Sequence, residues 1–154
     1  MTQPDQPPKH SVSVAAAIID AEGRFLTIRR ADNGHWEPPG GVLELHESMT
    51  DGLTREVHEE TGLHINPLAL TGVYKNMRRG IIALVFRCEI VGGTPHPSAE
   101  ASELAWLTPD QLKARMSDAY RVRLLDALAG VTAPAVRAHD GTRLVTSNSV
   151  APID

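Results

Sequence analysis

Residues Gly41–Leu63 read GVLELHESMTDGLTREVHEETGL, and this stretch decides the fold. Ser48 is a good helix N-cap, with Asp51 three residues on in a capping-box relation. Met49, Leu53 and Val57 follow at i+4 steps and predict the core stripe of a helix. Gly62 is suited to the left-handed residue that closes such a helix. Glu56, Glu59 and Glu60, at i, i+3 and i+4, share a face away from that stripe. Like charges crowded there repel unless a cation neutralises them. Mg²⁺ is the natural cation, since it is held by a few carboxylates together with substrate phosphates. The stretch therefore points to metal-assisted chemistry on a phosphate compound. Gly52 lies inside the helix at a cost of about 1 kcal/mol relative to Ala, which is read as close approach to a neighbouring strand.

Outward from the helix, the pattern is mixed. Residues 1–10 read as a flexible polar leader, 11–130 as the domain and 131–154 as a C-terminal extension. Ser11–Ile19 is β-branched and apolar, a buried strand, and Arg24–Arg30 alternates and completes a hairpin with it. Ala31–Pro39 is a loop rich in turn formers, and Val42–Glu44 is short and extended. Leu68–Lys75 and Ile81–Ile90 are two strands around a turn, Asn76–Gly80. After a loop over Gly92–Ala101, Ser102–Leu107 is a further short strand. Thr108 caps a helix with Pro109 at its first position. That helix is expected to run to Ala129, with Leu112, Met116, Tyr120, Leu124 and Leu128 in register and Gly130 at its end. Ala135–Val145 carries Asp140-Gly141 between extended arms, a hairpin signal. From pattern alone the class is α/β or α+β with a mixed sheet.

Composition bounds the partners. The 154 residues suffice for one domain with a core, and 42% apolar and 22% charged residues describe an ordinary globular chain. A net charge of −4 without a long basic run disfavours attraction to nucleic-acid polymers or anionic membranes. Cys88 is the one cysteine and cannot form an internal disulfide, which suits a reducing cytoplasm. MTQPDQPPKH is no signal peptide, and the apolar run Val14–Ile19 is too short to span a bilayer.

The stretch resembles the Nudix box, G-x5-E-x7-R-E-U-x-E-E-x-G-U with U a bulky aliphatic residue. Gly41, Glu47, Arg55, Glu56, Val57, Glu59, Glu60, Gly62 and Leu63 match all nine specified positions. Trp36-Glu37-Pro38-Pro39-Gly40-Gly41 is similar to the family's W-x-L-P-G-G approach, with Pro38 in place of Leu. The resemblance implies an α/β/α sandwich with a mixed β-sheet and the box as a loop–helix–loop. It implies a Mg²⁺- or Mn²⁺-dependent hydrolase that cleaves a nucleoside diphosphate linked to a further group. Small size suits a MutT-like enzyme that cleaves (deoxy)nucleoside triphosphates to monophosphate and pyrophosphate. Hydrolysis of ADP-ribose, nucleotide sugars or dinucleoside polyphosphates is the alternative. A nucleotide sensor without turnover is disfavoured because every box glutamate is kept.

By the same resemblance, Glu56, Glu59 and Glu60 are metal ligands, with Glu56 and Glu60 first. Gly40 would offer its backbone carbonyl to the metal. Arg55 and Glu47 would pair and orient the catalytic helix. The general base is a box glutamate or one in a later loop, where Glu100 and Glu103 lie; either is base or extra ligand. From their positions, Arg29 and Arg30 are candidates to reach substrate phosphates, Trp36 to stack on a base or to pack, and Tyr74 to flank the site. His35, His46 and His64 show no spacing that demands zinc. A homodimer through an edge strand or the C-terminal hairpin is compatible with the sequence.

Overall fold

The computed structural model describes residues 6–129 and 133–145. Among the described residues, two sheets and three helices make up the fold. β1 (Ser11–Ile18) is followed by β2 (Phe25–Arg30), β3 (Trp36–Glu37) and β4 (Gly40–Val42), then by helix α1 (Met49–Thr61). The long strands β5 (Leu63–Asn76) and β6 (Ile81–Gly93) and the shorter β7 (Ala101–Leu107) come next. Helices α2 (Pro109–Arg115) and α3 (Asp118–Leu128) precede β8 (Ala135–His139) and β9 (Leu144–Val145). The larger sheet is mixed, in the order β4-β1-β6-β5-β8-β9, and the smaller one is β3-β2-β7.

β1 explains the layering. Its side chains alternate, so Val14, Ala16 and Ile18 enter one core with Leu53 and Val57 of α1. Ala15 and Ala17 enter the other core with Leu112, Met116, Leu124 and Ala127 of α2 and α3. Helices thus cover both faces of a sheet, the α/β/α arrangement that the resemblance implied.

Three element expectations need correction. β1 and β2 are joined by a tight turn, with Asp20 N–H donating to the Arg24 carbonyl at 2.9 Å, but do not form a hairpin. Beyond the single bridge Ile19↔Phe25 they part into different sheets. β6 pairs parallel along the whole of one edge of β1, and β4 takes Ser13–Ala15 on the other. β2 pairs instead with β3 and β7.

The single helix expected over 109–129 is two. Met116 turns extended (φ −125°, ψ 148°), and Ser117 is the N-cap of α3. The i+4 series carries the reason, because each step overshoots one turn by about 40°. Across the series the stripe drifts round the helix, and the break leaves Leu112, Met116 and Leu124 all seated in the core. Leu128, at the end of the series, is exposed, and so is Met49 at the start of the α1 stripe. Gly130, expected to end the helix, lies outside the described residues.

The third correction concerns Gly52. A Cβ there would lie 2.5 Å from Leu43 Cδ1 and 2.7 Å from Glu47 Oε1, so the close neighbour is the loop before α1 and not a strand. The C-terminal segment does form a hairpin, with β8 antiparallel to β9. β8 also pairs parallel to β5, which makes the hairpin part of the main sheet.

Candidate active site

α1 is built to hold its acidic face still. Ser48 Oγ accepts from Asp51 N–H at 3.1 Å, and Gly62 closes the helix at φ 79°, in the left-handed region. Arg55 organises the carboxylates. Its Nε and Nη2 donate to the two oxygens of Glu47 at 2.9 and 2.6 Å, a bidentate pair across eight residues. Its Nη1 donates to Glu56 at 3.1 Å and to Glu59 at 3.2 Å. Glu47 also accepts from Glu44 N–H at 2.9 Å. The Arg55 guanidinium, first of all, holds the Glu47 carboxyl down at about 2. The same Glu47 bonds push the Arg55 pKa above its ordinary value.

Glu56, Glu60 and Glu100 converge. Each offers a carboxylate oxygen, and these oxygens lie within 4.8 Å of one another. Glu60 is buried, 6% exposed, and Gly40 N–H donates to its Oε1 at 2.7 Å. Burial above all, then the neighbouring charges of Glu56, Glu100 and Glu37, pushes the Glu60 carboxyl up to about 8 despite the Gly40 bond. Burial likewise raises Glu56, against the pull of Arg55. Three carboxylates at this spacing, one buried without a cationic partner, suit a divalent ion of the oxygen-seeking kind. Backbone fit supports the arrangement. A Cβ on Gly41 would sit 2.5 Å from the Glu56 carboxylate, so only glycine leaves that carboxylate its place. Glu100 stands in the loop before β7, its carbonyl accepting from Ala31 N–H at 2.9 Å.

Other candidates fall elsewhere. Glu59 is exposed beside Arg55 and stands outside the group of three. Glu103 pairs with Arg29 at 3.1 Å. Arg29 Nε also donates to the Gly34 carbonyl at 3.2 Å. Arg30 binds both oxygens of Asp32, at 2.9 and 2.6 Å, and approaches Glu37 at 3.5 Å. Trp36 is half-buried against the core on the α2–α3 side, with the Arg115 guanidinium 5.0 Å over its ring.

Tyr74 is a correction. It is fully buried, and its hydroxyl donates to Asp126 at 2.7 Å under α3. Alternation along β5 turns residue 74 into the core, so it presents no surface to a substrate. Two residues near the site carried little signal in the sequence. Glu37 filled an unspecified position between Trp36 and Pro38, and Arg115 fell inside the single helix expected over 109–129.

Residues 9–128 match the family model of the NUDIX domain. The chain belongs to the Nudix family. It is 55% identical over 148 residues to a MutT-like protein of Streptomyces ambofaciens, covering 94% of this chain and 96% of that one. It is 32% identical over 101 residues to an ADP-ribose pyrophosphatase of Methanocaldococcus jannaschii, covering 61% and 60% of the two chains. Among solved structures, the MutT protein from Methanosarcina mazei Go1 superposes with a TM-score of 0.67 at 29% identity, covering 80% of this chain and 94% of that one. A UDP-X diphosphatase superposes at 0.74 with 23% identity, covering 86% of this chain and 69% of that one, a likeness of fold. As a Nudix pyrophosphohydrolase, the chain is a hydrolase of acid anhydrides that acts on small-molecule derivatives of nucleoside diphosphates. Nudix hydrolases use divalent metal, and a group of three acidic residues that could hold such an ion is present in this chain. Among the described residues, no helix is long and apolar enough to cross a membrane.

Proposed function

We propose that this Nudix enzyme hydrolyses (deoxy)nucleoside triphosphates to monophosphate and pyrophosphate with Mg²⁺ or Mn²⁺. The convergence of Glu56, Glu60 and Glu100 within 4.8 Å carries the reading. Similarity over nearly the whole chain to a MutT-like protein favours triphosphates as substrate.

Glu56 and Glu60 would hold the ion, with the Gly40 carbonyl beside them as a further candidate. A divalent ion supplies charge neutralisation at the diphosphate oxygens and lowers the pKa of water. The chain's own residues do the rest. The Glu47–Arg55 pair sets the position of Glu56, with Glu59 as a further anchor on Arg55. Gly40 N–H sets the position of Glu60. Water attacks phosphorus, and pyrophosphate leaves as the P–O bond breaks. Glu100, on a loop beside the other two, takes the proton; Glu103 is the second candidate, drawn away by Arg29. Trp36 lines the approach for the substrate, and Arg29 and Arg30 flank it, each already paired with acidic side chains.

Cleavage of ADP-ribose is the second reading, favoured by the 32% identity to an ADP-ribose pyrophosphatase. A panel of (deoxy)nucleoside triphosphates, ADP-ribose, nucleotide sugars and diadenosine polyphosphates separates the two, with Mg²⁺ present and phosphate or pyrophosphate followed. Pyrophosphate release from a triphosphate is expected. Turnover of ADP-ribose alone overturns the first reading, and tight binding without any turnover overturns both.

A further inference from the structure

A row of side chains crosses the small sheet at its open end. Trp36 of β3 stands opposite Arg29 of β2, and Arg29 stands opposite Glu103 of β7. Directly opposed residues share a sheet face, so all three project the same way. Toward the other end of this face, Phe25, Thr27 and Leu107 are buried. At Arg29 and Glu103 the side chains are about half exposed, so the face passes here from core to solvent. The row is tied to the acidic group at both ends of the chain path. Trp36 is four residues before Gly40, which bonds Glu60, and Glu103 is three residues after Glu100.

Charge accounting then singles out one cation. Arg29 is occupied by Glu103 and the Gly34 carbonyl, and Arg30 by Asp32 and Glu37. Neither guanidinium is spare for a substrate. Arg115 is exposed, makes no salt bridge among the described residues, and lies over the Trp36 indole. It is the last residue of α2, directly before the break at Met116, so no following helical turn packs over its side chain. An indole packed against the core, with an exposed guanidinium, unpaired among the described residues, over its ring, is a stacking surface.

We propose that Trp36 and Arg115 form the nucleobase subsite. The base stacks on the indole, and Arg115 swings outward to lie on the base's other face. Both contacts are those that aromatic rings and guanidinium planes make with any base, because every base offers a π face. A guanidinium 5.0 Å from the ring leaves no room for a base between them, since two stacked contacts need about 7 Å, so Arg115 must move. Arg29 and Glu103 then act as a fixed wall beside the base. The subsite selects compounds that carry a nucleobase over bare polyphosphates and sugar phosphates. This inference rests on the reading that a nucleotide is hydrolysed at the neighbouring glutamates.

The test uses the full chain in EDTA, so that metal and turnover play no part. Trp36 and Trp106 are the only tryptophans, and a Trp106→Phe background leaves Trp36 as the reporter. Nucleoside monophosphates should quench its emission after correction for absorbance, and ribose 5-phosphate should not. Arg115→Ala should weaken that binding about tenfold, the size expected of one lost base-stacking partner. With Mg²⁺ and a hydrolysed nucleotide, the same variant should raise KM about tenfold and leave kcat within about twofold. Equal quenching by ribose 5-phosphate, or unchanged binding and KM in Arg115→Ala, overturns the subsite. Should Trp106→Phe not fold, the KM-against-kcat split and isothermal titration of Arg115→Ala decide alone. If the wild type turns over no nucleotide, it is the functional reading that fails, whatever the fluorescence shows.

Discussion

Glu60 combines two roles that conflict without a cation. It is the most buried of the three converging carboxylates, and its charge meets those of Glu56 and Glu100. Glu60→Gln should lower turnover at least ~10²-fold, since a bound metal contributes several kcal/mol to the transition state. The same change should stabilise the metal-free chain near neutral pH, because folding no longer has to hold a buried carboxyl in its protonated form, while an acceptor for Gly40 N–H is kept. Full activity in Glu60→Gln, measured at saturating Mg²⁺, would strike it from the ligands. Glu100 and Glu103 make a second comparison. Glu100 belongs to the converging group, whereas Glu103 is bound to Arg29. Steady-state kinetics should show Glu100→Gln losing about 10²-fold or more in kcat, the range of a lost acid–base group. Glu103→Gln should stay within about tenfold, and the reverse order would move the proton acceptor to Glu103. At this scale the sequence was legible where spacing on one helix decides proximity, as for Glu56 and Glu60. It was silent on Glu100 against Glu103, because a loop and a strand three residues apart face different neighbours.

At the scale of elements, the box loop and α1 behave as one unit. Arg55 ties the helix to Glu47 in the loop, and Gly52 admits Leu43 and Glu47 against the helix backbone. In an open helix Gly→Ala stabilises by about 1 kcal/mol. Here the added methyl would meet Leu43 Cδ1 at 2.5 Å and the Glu47 carboxylate at 2.7 Å, and Glu47 is already clamped by Arg55. Gly52→Ala should therefore destabilise by about 1–3 kcal/mol, the usual range for overpacking. Thermal unfolding checks this, and a Tm at or above that of the wild type would mean that the loop yields. Local signals placed the two ends of α1, the Thr108 cap with Pro109, and the Asp140-Gly141 turn, because each depends on residues within a few positions. Thr108 indeed forms a full capping box with Gln111. What the pattern missed was decided at a distance. β2 finds its partner in β7, far along the chain, while β1 pairs with β6 and β4, and nothing in residues 11–30 records that.

For the whole molecule, two buried groups on opposite faces of the main sheet set opposing pH dependences. His139 is fully buried, and burial first, then the Arg123 charge, brings it down to about 4. Between about pH 4 and 6.5 the unfolded chain binds its proton and the folded chain does not, so this group makes stability rise with pH. Glu60, raised to about 8, does the reverse: between about pH 4.5 and 8 the folded chain holds the proton, so stability falls as pH rises. In the shared window the two slopes oppose. Metal-free wild type should thus change little from about pH 4.5 to 6.5 and lose stability from there to about pH 8. Glu60→Gln should tilt the shared window upward with pH, and His139→Asn should tilt it downward. Mg²⁺ binds the ionised site, so its stabilisation, RT ln(1 + [L]/Kd), should grow with pH. Urea unfolding across this range, with EDTA and then with Mg²⁺, separates the contributions. Parallel profiles for the wild type and Glu60→Gln would show that Glu60 titrates at its ordinary value. An Mg²⁺ gain independent of pH would mean that the ion binds away from it.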